Sequence, residues 1–175
     1  CSSDLLHFMR TIKLLFLLLI LSASSCSKDK TCPEGFEGDD CDQEKTPLTV
    51  LIKTITVTKF PQTTLSGGGW DITSGADLTF SIINETVGGE YVHDKYIENA
   101  TIPAVFTNVN FSAGSLARYS FQFYDSDNGR TAIVDADDFL GAAVGNIWKK
   151  GTKFPKTIPI KVDGLEFSLE VEYTF

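Results

Sequence analysis

With 42% hydrophobic and 22% charged residues among 175, the chain holds enough apolar material for one packed domain plus extra segments, which excludes global disorder. Its formal net charge of −8, from 15 basic and 23 acidic residues, leaves no cationic excess to neutralise phosphates and excludes a general nucleic-acid binder. The four cysteines, Cys1, Cys26, Cys32 and Cys41, all lie near the start, so the remainder depends on packing alone.

Met9 to Lys13 is a short basic segment, followed by an unbroken apolar run from Leu14 to Leu21. That run is far shorter than the ~20 residues of a membrane-spanning helix and fits the hydrophobic region of a secretory signal. A signal peptide over 1–25 is therefore expected, with residues 1–8 an upstream extension before Met9. Leu21, Ser22, Ala23, Ser24, Ser25 and Cys26 then resemble a bacterial lipobox, which implies cleavage before Cys26 and lipidation of its thiol. An ordinary signal peptide with an incidental Cys26 is the alternative. Ser27, Lys28, Asp29 and Lys30 resemble the charged tether of surface-exported lipoproteins in Bacteroidota. The resemblance implies a lipid-anchored protein exposed on the bacterial outer membrane.

Cys32, Pro33, Glu34, Gly35, Phe36, Glu37, Gly38, Asp39, Asp40 and Cys41 resemble the closing half of an epidermal-growth-factor-like (EGF-like) repeat. Export into an oxidising compartment implies a Cys32–Cys41 disulfide, stabilising the small loop by roughly 2–3 kcal/mol. Only a fragment of the repeat is present, so a stapled spacer over 26–47 is expected rather than receptor-type binding.

From Leu48 onward, short runs of β-branched and aromatic residues are punctuated by Gly, Pro, Asn and Asp. Strands are predicted over Leu48 to Phe60, Leu78 to Ile83, Glu90 to Ile97, Ala104 to Val109, Arg118 to Tyr124, Phe139 to Ile147, Thr157 to Val162 and Leu165 to Phe175. The last alternates cleanly: Leu165, Phe167, Leu169, Val171, Tyr173 and Phe175 on one face, Glu166, Ser168, Glu170, Glu172 and Thr174 on the other. Eight strands at such spacing predict an all-β, eight-stranded antiparallel β-sandwich over 48–175.

Two loops carry the candidate chemistry. Asp71 and Asp77 stand six positions apart across a glycine turn leading into a strand. Asp125, Ser126 and Asp127 follow the Arg118 strand, and Asp135, Asp137 and Asp138 precede Phe139, Leu140 and Gly141. Carboxylates crowded together repel by roughly 1 kcal/mol per close pair in water unless a cation lies between them. Calcium, a hard ion taking six to eight oxygens, suits short aspartate side chains. The competing reading is that Asp, Asn and Gly are ordinary turn residues capping their own backbone.

These spacings together resemble the C2 domain, the calcium- and phospholipid-binding β-sandwich. The resemblance implies that Asp71 and Asp77 are first-loop ligands, Asp125 and Asp127 an Asp-x-Asp pair, and Asp138 the closing ligand. The interval from Asp127 to Asp138 is about five residues longer than the family's usual step. Asp135 or Asp137 then competes with Asp138 for the closing role, and Arg130 to Val134 is expected as a hairpin. A bound calcium with open positions would bridge to an anionic ligand: a lipid head group, a glycan or a surface protein.

Trp70 is either a loop anchor on the sandwich or an exposed contact for a membrane or glycan. Lys149, Lys150, Lys153, Lys156 and Lys161 form either a solvated basic loop or an anion-attracting face worth about 1 kcal/mol per cation near a charged surface. The Asn-x-Ser/Thr triplets at Asn84, Asn99 and Asn110 carry no weight in a chain of bacterial type. His93, beside Asp94, is expected on the surface, and no histidine-based catalytic motif accompanies it. A binding module rather than an enzyme is expected. Its rivals are a calcium-independent structural or adhesive module and a carbohydrate-binding one.

Overall fold

The computed structural model describes residues 30–63, 67–70, 75–126 and 139–175. The expected signal segment, Cys26 and the Arg130 to Val134 hairpin lie outside the described residues. The chain divides after Pro33 into two compact units, of which Glu34–Phe175 is the larger. Among the described residues there is no helix, and every strand pair is antiparallel.

The strands are β1 (Phe36–Glu37), β2 (Gln43–Glu44), β3 (Thr49–Lys59), β4 (Leu78–Asn84), β5 (Glu90–Val92), β6 (Ala104–Phe106), β7 (Phe111–Gly114), β8 (Arg118–Asp125), β9 (Phe139–Asn146), β10 (Thr157–Val162) and β11 (Leu165–Thr174). One sheet has the order β10-β11-β3-β6 with β7 also on β3; the other has the order β5-β4-β8-β9. Strands β1 and β2 form a separate small hairpin. The two larger sheets make a sandwich: Phe121 of β8 meets Phe167 of β11 at 5.6 Å, and Phe80 of β4 meets Phe106 of β6 at 4.9 Å.

Alternation accounts for which side chains enter the core. In β11, Leu165, Phe167, Leu169 and Val171 are buried while Glu170 and Glu172 face solvent. In β3 the alternation breaks and resumes: Val50 and Ile52, then Ile55 and Val57, are each fully buried. A bulge makes this possible, since Val171 pairs with Ile52 and Glu170 with Thr54, leaving Lys53 as the extra residue. One more residue without the bulge would have turned half of β3 outward.

The predicted run from Ala104 to Val109 is a strand only over β6, and β7, which the sequence pattern did not predict, follows it; this accounts for nine strands in the described part of 48–175 rather than eight. Both pair with β3, β6 against Ile55 to Val57 and β7 against Thr49 to Ile52. Between them Asn108 and Asn110 adopt φ of 59° and 51°, a left-handed conformation that asparagine tolerates better than most residues. The predicted strand from Glu90 to Ile97 is regular only over β5. It then follows the edge of β4, where Ile97 and Leu78 exchange backbone hydrogen bonds of 2.8 and 3.0 Å.

The segment from Glu34 to Pro47 is docked. Cys32 and Cys41 are disulfide-bonded. Within the larger unit, Phe36 packs edge-on against Phe154 at 5.5 Å, and the Glu44 carboxylate accepts hydrogen bonds from the backbone N–H groups of Gly151 (2.5 Å) and Lys153 (2.7 Å). Residues 34–47 thus fold against the sandwich.

His93 is not on the surface: it is 4% exposed, stacked on Phe80 at 4.8 Å and edge-on to Phe106 at 5.5 Å. The polar run around it hid this, because His93 follows β5 and turns its ring into the sandwich. Burial pushes its pKa below the ordinary value, Asp94 opposes the shift, and Lys95 adds to it. The folded chain therefore disfavours the imidazolium. As pH falls through the unfolded-state value of about 6.5, the unfolded chain takes up a proton that the folded chain resists, and stability drops. Chemical denaturation at pH 7.5 and pH 5.5 is expected to show this loss, and His93→Phe is expected to reduce it. An unchanged pH profile in that variant would remove His93 as the source.

Candidate functional site

The chain folds so that the start of β4 lies beside the end of β8, with Leu78 paired to Asp125. Asp77 immediately precedes β4 and Asp125 closes β8, so strand pairing alone brings them to one end of the sandwich. Two hydrogen bonds fix them there. Asp77 N–H donates to Asp125 Oδ1 at 2.5 Å, and Ser126 N–H donates to the Asp77 carbonyl at 2.7 Å. Asp125 is 5% exposed, placed on the inward-facing side of β8 where the core gives way to the loops.

A third segment joins this end. Asn99 N–H donates to Asp77 Oδ1 at 2.8 Å, Gly75 N–H donates to Asn99 Oδ1 at 3.1 Å, and Ala100 N–H donates to the Ala76 carbonyl at 2.7 Å. Asn99 sits at φ 47°, which lets its amide and side chain address Gly75 and Asp77 together. Neither Asn99 nor Ser126 stands out in the sequence as part of a site. The only local signal is a polar turn, Glu98 and Asn99, and nothing in it specifies Asp77 as a partner.

Asp77 and Asp125 are the two predicted ligands that the structure places, and it places them together. Asp71, Asp127, Asp135, Asp137 and Asp138 lie outside the described residues. Hard carboxylate oxygens suit calcium over softer metals. Two carboxylates fall short of the six to eight oxygens calcium takes, and among the described residues no group of three metal-ligating side chains occurs. Residues in the adjoining loops would have to supply the rest.

Trp70, in the connection between β3 and β4, is half-buried against the core and donates its indole N–H to the Pro61 carbonyl at 2.9 Å. Lys149, Lys150 and Lys153 are exposed, but they follow β9, which runs away from Asp125, and so lie beyond the opposite end of that sheet. Lys161 is committed to Glu166 at 2.6 Å. The basic run therefore does not complete the aspartate end.

At that opposite end, Phe154 gathers Phe36, Trp148, Tyr173 and Phe175 around it, at centroid separations of 4.9 to 6.2 Å. Tyr173 donates its hydroxyl to the Pro155 carbonyl at 3.0 Å, and burial pushes its pKa up. These rings come from three distant stretches of chain, so no local pattern in the sequence announces them.

No family model and no curated protein matches the chain. Solved structures similar to it include human GIVD cytosolic phospholipase A2 in complex with methyl γ-linolenyl fluorophosphonate, with and without terbium chloride. The identity is 18% and the TM-score 0.44 in both cases, covering 75% of this chain without terbium and 74% with it. This chain spans 18% of that enzyme's length, and nothing of the enzyme's chemistry is carried over from a likeness at this level.

Proposed function

We propose that the chain is a surface-exported, lipid-anchored binding module whose C2-like sandwich binds calcium at the Asp77/Asp125 end. The observation that carries this reading is the convergence of those two aspartates, 48 positions apart, at one end of the sandwich. In this reading Asp71 and Asp127 extend the pair from the adjoining loops, with one of Asp135, Asp137 or Asp138 closing the set. The bound ion links the module to an anionic lipid head group, glycan or surface protein. Cys26 carries the lipid on the bacterial outer membrane, and the EGF-like fragment staples the approach to the domain. The module is not an enzyme.

Asp77 Oδ1 and Asp125 Oδ1 each accept a backbone N–H, which favours a second reading: the aspartates cap the loops of a calcium-independent structural or adhesive module. Calcium titration by calorimetry separates the two. Asn at position 125 retains a side-chain oxygen able to accept the Asp77 N–H, so Asp125→Asn with Asp127→Asn removes charge while leaving that loop contact in place. A saturable calcium heat is expected in the parent, and the double variant is expected to raise Kd about tenfold or more. No heat in the parent, or equal affinity in both, sinks the calcium reading and leaves the capping role.

A further inference from the structure

Beside the last stretch of β11 lies an open cleft of about 700 Å³, within the usual range for small-molecule sites. It exists because β10 ends its pairing at Glu170 while β11 runs on to Thr174. The loop leading into β10 fills only part of the space left. Phe154, Tyr173 and Phe175, with Val171, form the apolar part of the lining. Glu34, Glu170 and Glu172 add carboxylates, and Lys53 and Lys156 add ammonium groups.

We propose that this cleft binds a neutral saccharide, at a site separate from the aspartate end. Three features of the lining choose that ligand class. A sugar ring presents C–H groups able to pack on aromatic rings, and three aromatic side chains line this cleft. Hydroxyls both donate and accept, and the cleft offers carboxylates that accept beside ammonium groups that donate. The opposed charges, exemplified by Lys53 Nζ 3.9 Å from Glu172 Oε2, leave little net attraction for an ion of either sign.

An added peptide strand is a poorer fit. Val171 N–H, the first amide of β11 past the end of β10, already donates to the Lys156 carbonyl at 2.9 Å. Beyond it only Glu172 to Thr174 remain in β11, a short run on which to pair an added strand.

The test is calorimetric titration of the full chain, in the presence of EDTA, with hexamers of β-1,4-glucan, β-1,4-xylan and α-mannan. At least one neutral oligomer is expected to bind saturably. Glu170→Ala with Glu172→Ala, both solvent-facing and harmless to the core, is expected to weaken it about tenfold, while Asp125→Asn with Asp127→Asn leaves it unchanged. Circular dichroism confirms that the variants are folded. Phe154→Ala is a second lesion, read only if it also folds. The proposal is overturned if none of the three oligomers binds, or if the double glutamate variant keeps parental affinity. It is equally overturned if tetramethylammonium or a polygalacturonate hexamer binds in preference to every neutral oligomer. Because calcium is chelated throughout, failure here is distinct from failure of the calcium reading.

Discussion

Replacing Phe80 by alanine lowers the free energy of unfolding by about 3–5 kcal/mol, the range for truncating a fully buried phenylalanine. Phe80 is 1% exposed, and its ring meets His93 at 4.8 Å, Phe106 at 4.9 Å, Phe123 at 6.0 Å and Tyr91 at 6.2 Å. The Phe106 contact crosses from one sheet to the other, and the His93 contact covers a ring that has few other reasons to leave water. Truncation therefore opens a cavity at the joint between the sheets and uncovers an imidazole. The measurement is urea denaturation, with the midpoint expected to fall while the slope stays at the parental value. A loss below about 1.5 kcal/mol would mean that neighbouring rings collapse into the space, so that Phe80 is not the joint described.

Gly35→Ala is the second large effect, and it is local. Gly35 adopts φ +85°, which costs a residue with a Cβ roughly 1–2 kcal/mol. A Cβ there would also stand 2.6 Å from Phe175 Cζ and 2.7 Å from Phe154 Cε2, contacts that force one or both rings to move. Together these should weaken docking of residues 34–47 by about 2–3 kcal/mol while leaving the sandwich folded. Hydrogen exchange reads this directly. The Lys45 amide bonded to the Gly35 carbonyl, and the Gly151 and Lys153 amides bonded to Glu44, should lose about 30-fold to 100-fold in protection, with β3 and β4 unaffected. Undiminished protection would show that the segment is held without Gly35.

The sequence made the sheets legible where one face is wet. The period of two in Leu165 to Phe175 locates β11 within a residue, and the Asp163, Gly164 turn delimits its hairpin with β10. Legibility failed where the physics is tertiary. The end of β6 at Phe106 and the unpredicted strand β7 after it depend on β3 being long enough to take two partners along one edge. The shortness of β5 depends on how the chain follows β4. His93 reads as polar in sequence because the rings that bury it come from β4 and β6. At the candidate site, the pairing of Asp77 with Asp125 follows from strand ends meeting, and spacing could anticipate it. The contribution of Asn99 depends on a left-handed turn from a third segment, and spacing could not.

Strand order has a further consequence, for self-association. Among the described residues, the outer strands of the two sheets at one flank, β9 and β10, each have one long side without a pairing strand in their sheet. Such a side is a template on which a second molecule could continue the sheet. In β10 the template is interrupted by Pro159, which has no amide hydrogen to offer, and followed by Lys161, whose charge a growing stack of identical strands would have to bring together. Pro159, exposed on β10, thus withholds one backbone donor from any added strand at a position where it does nothing for the core.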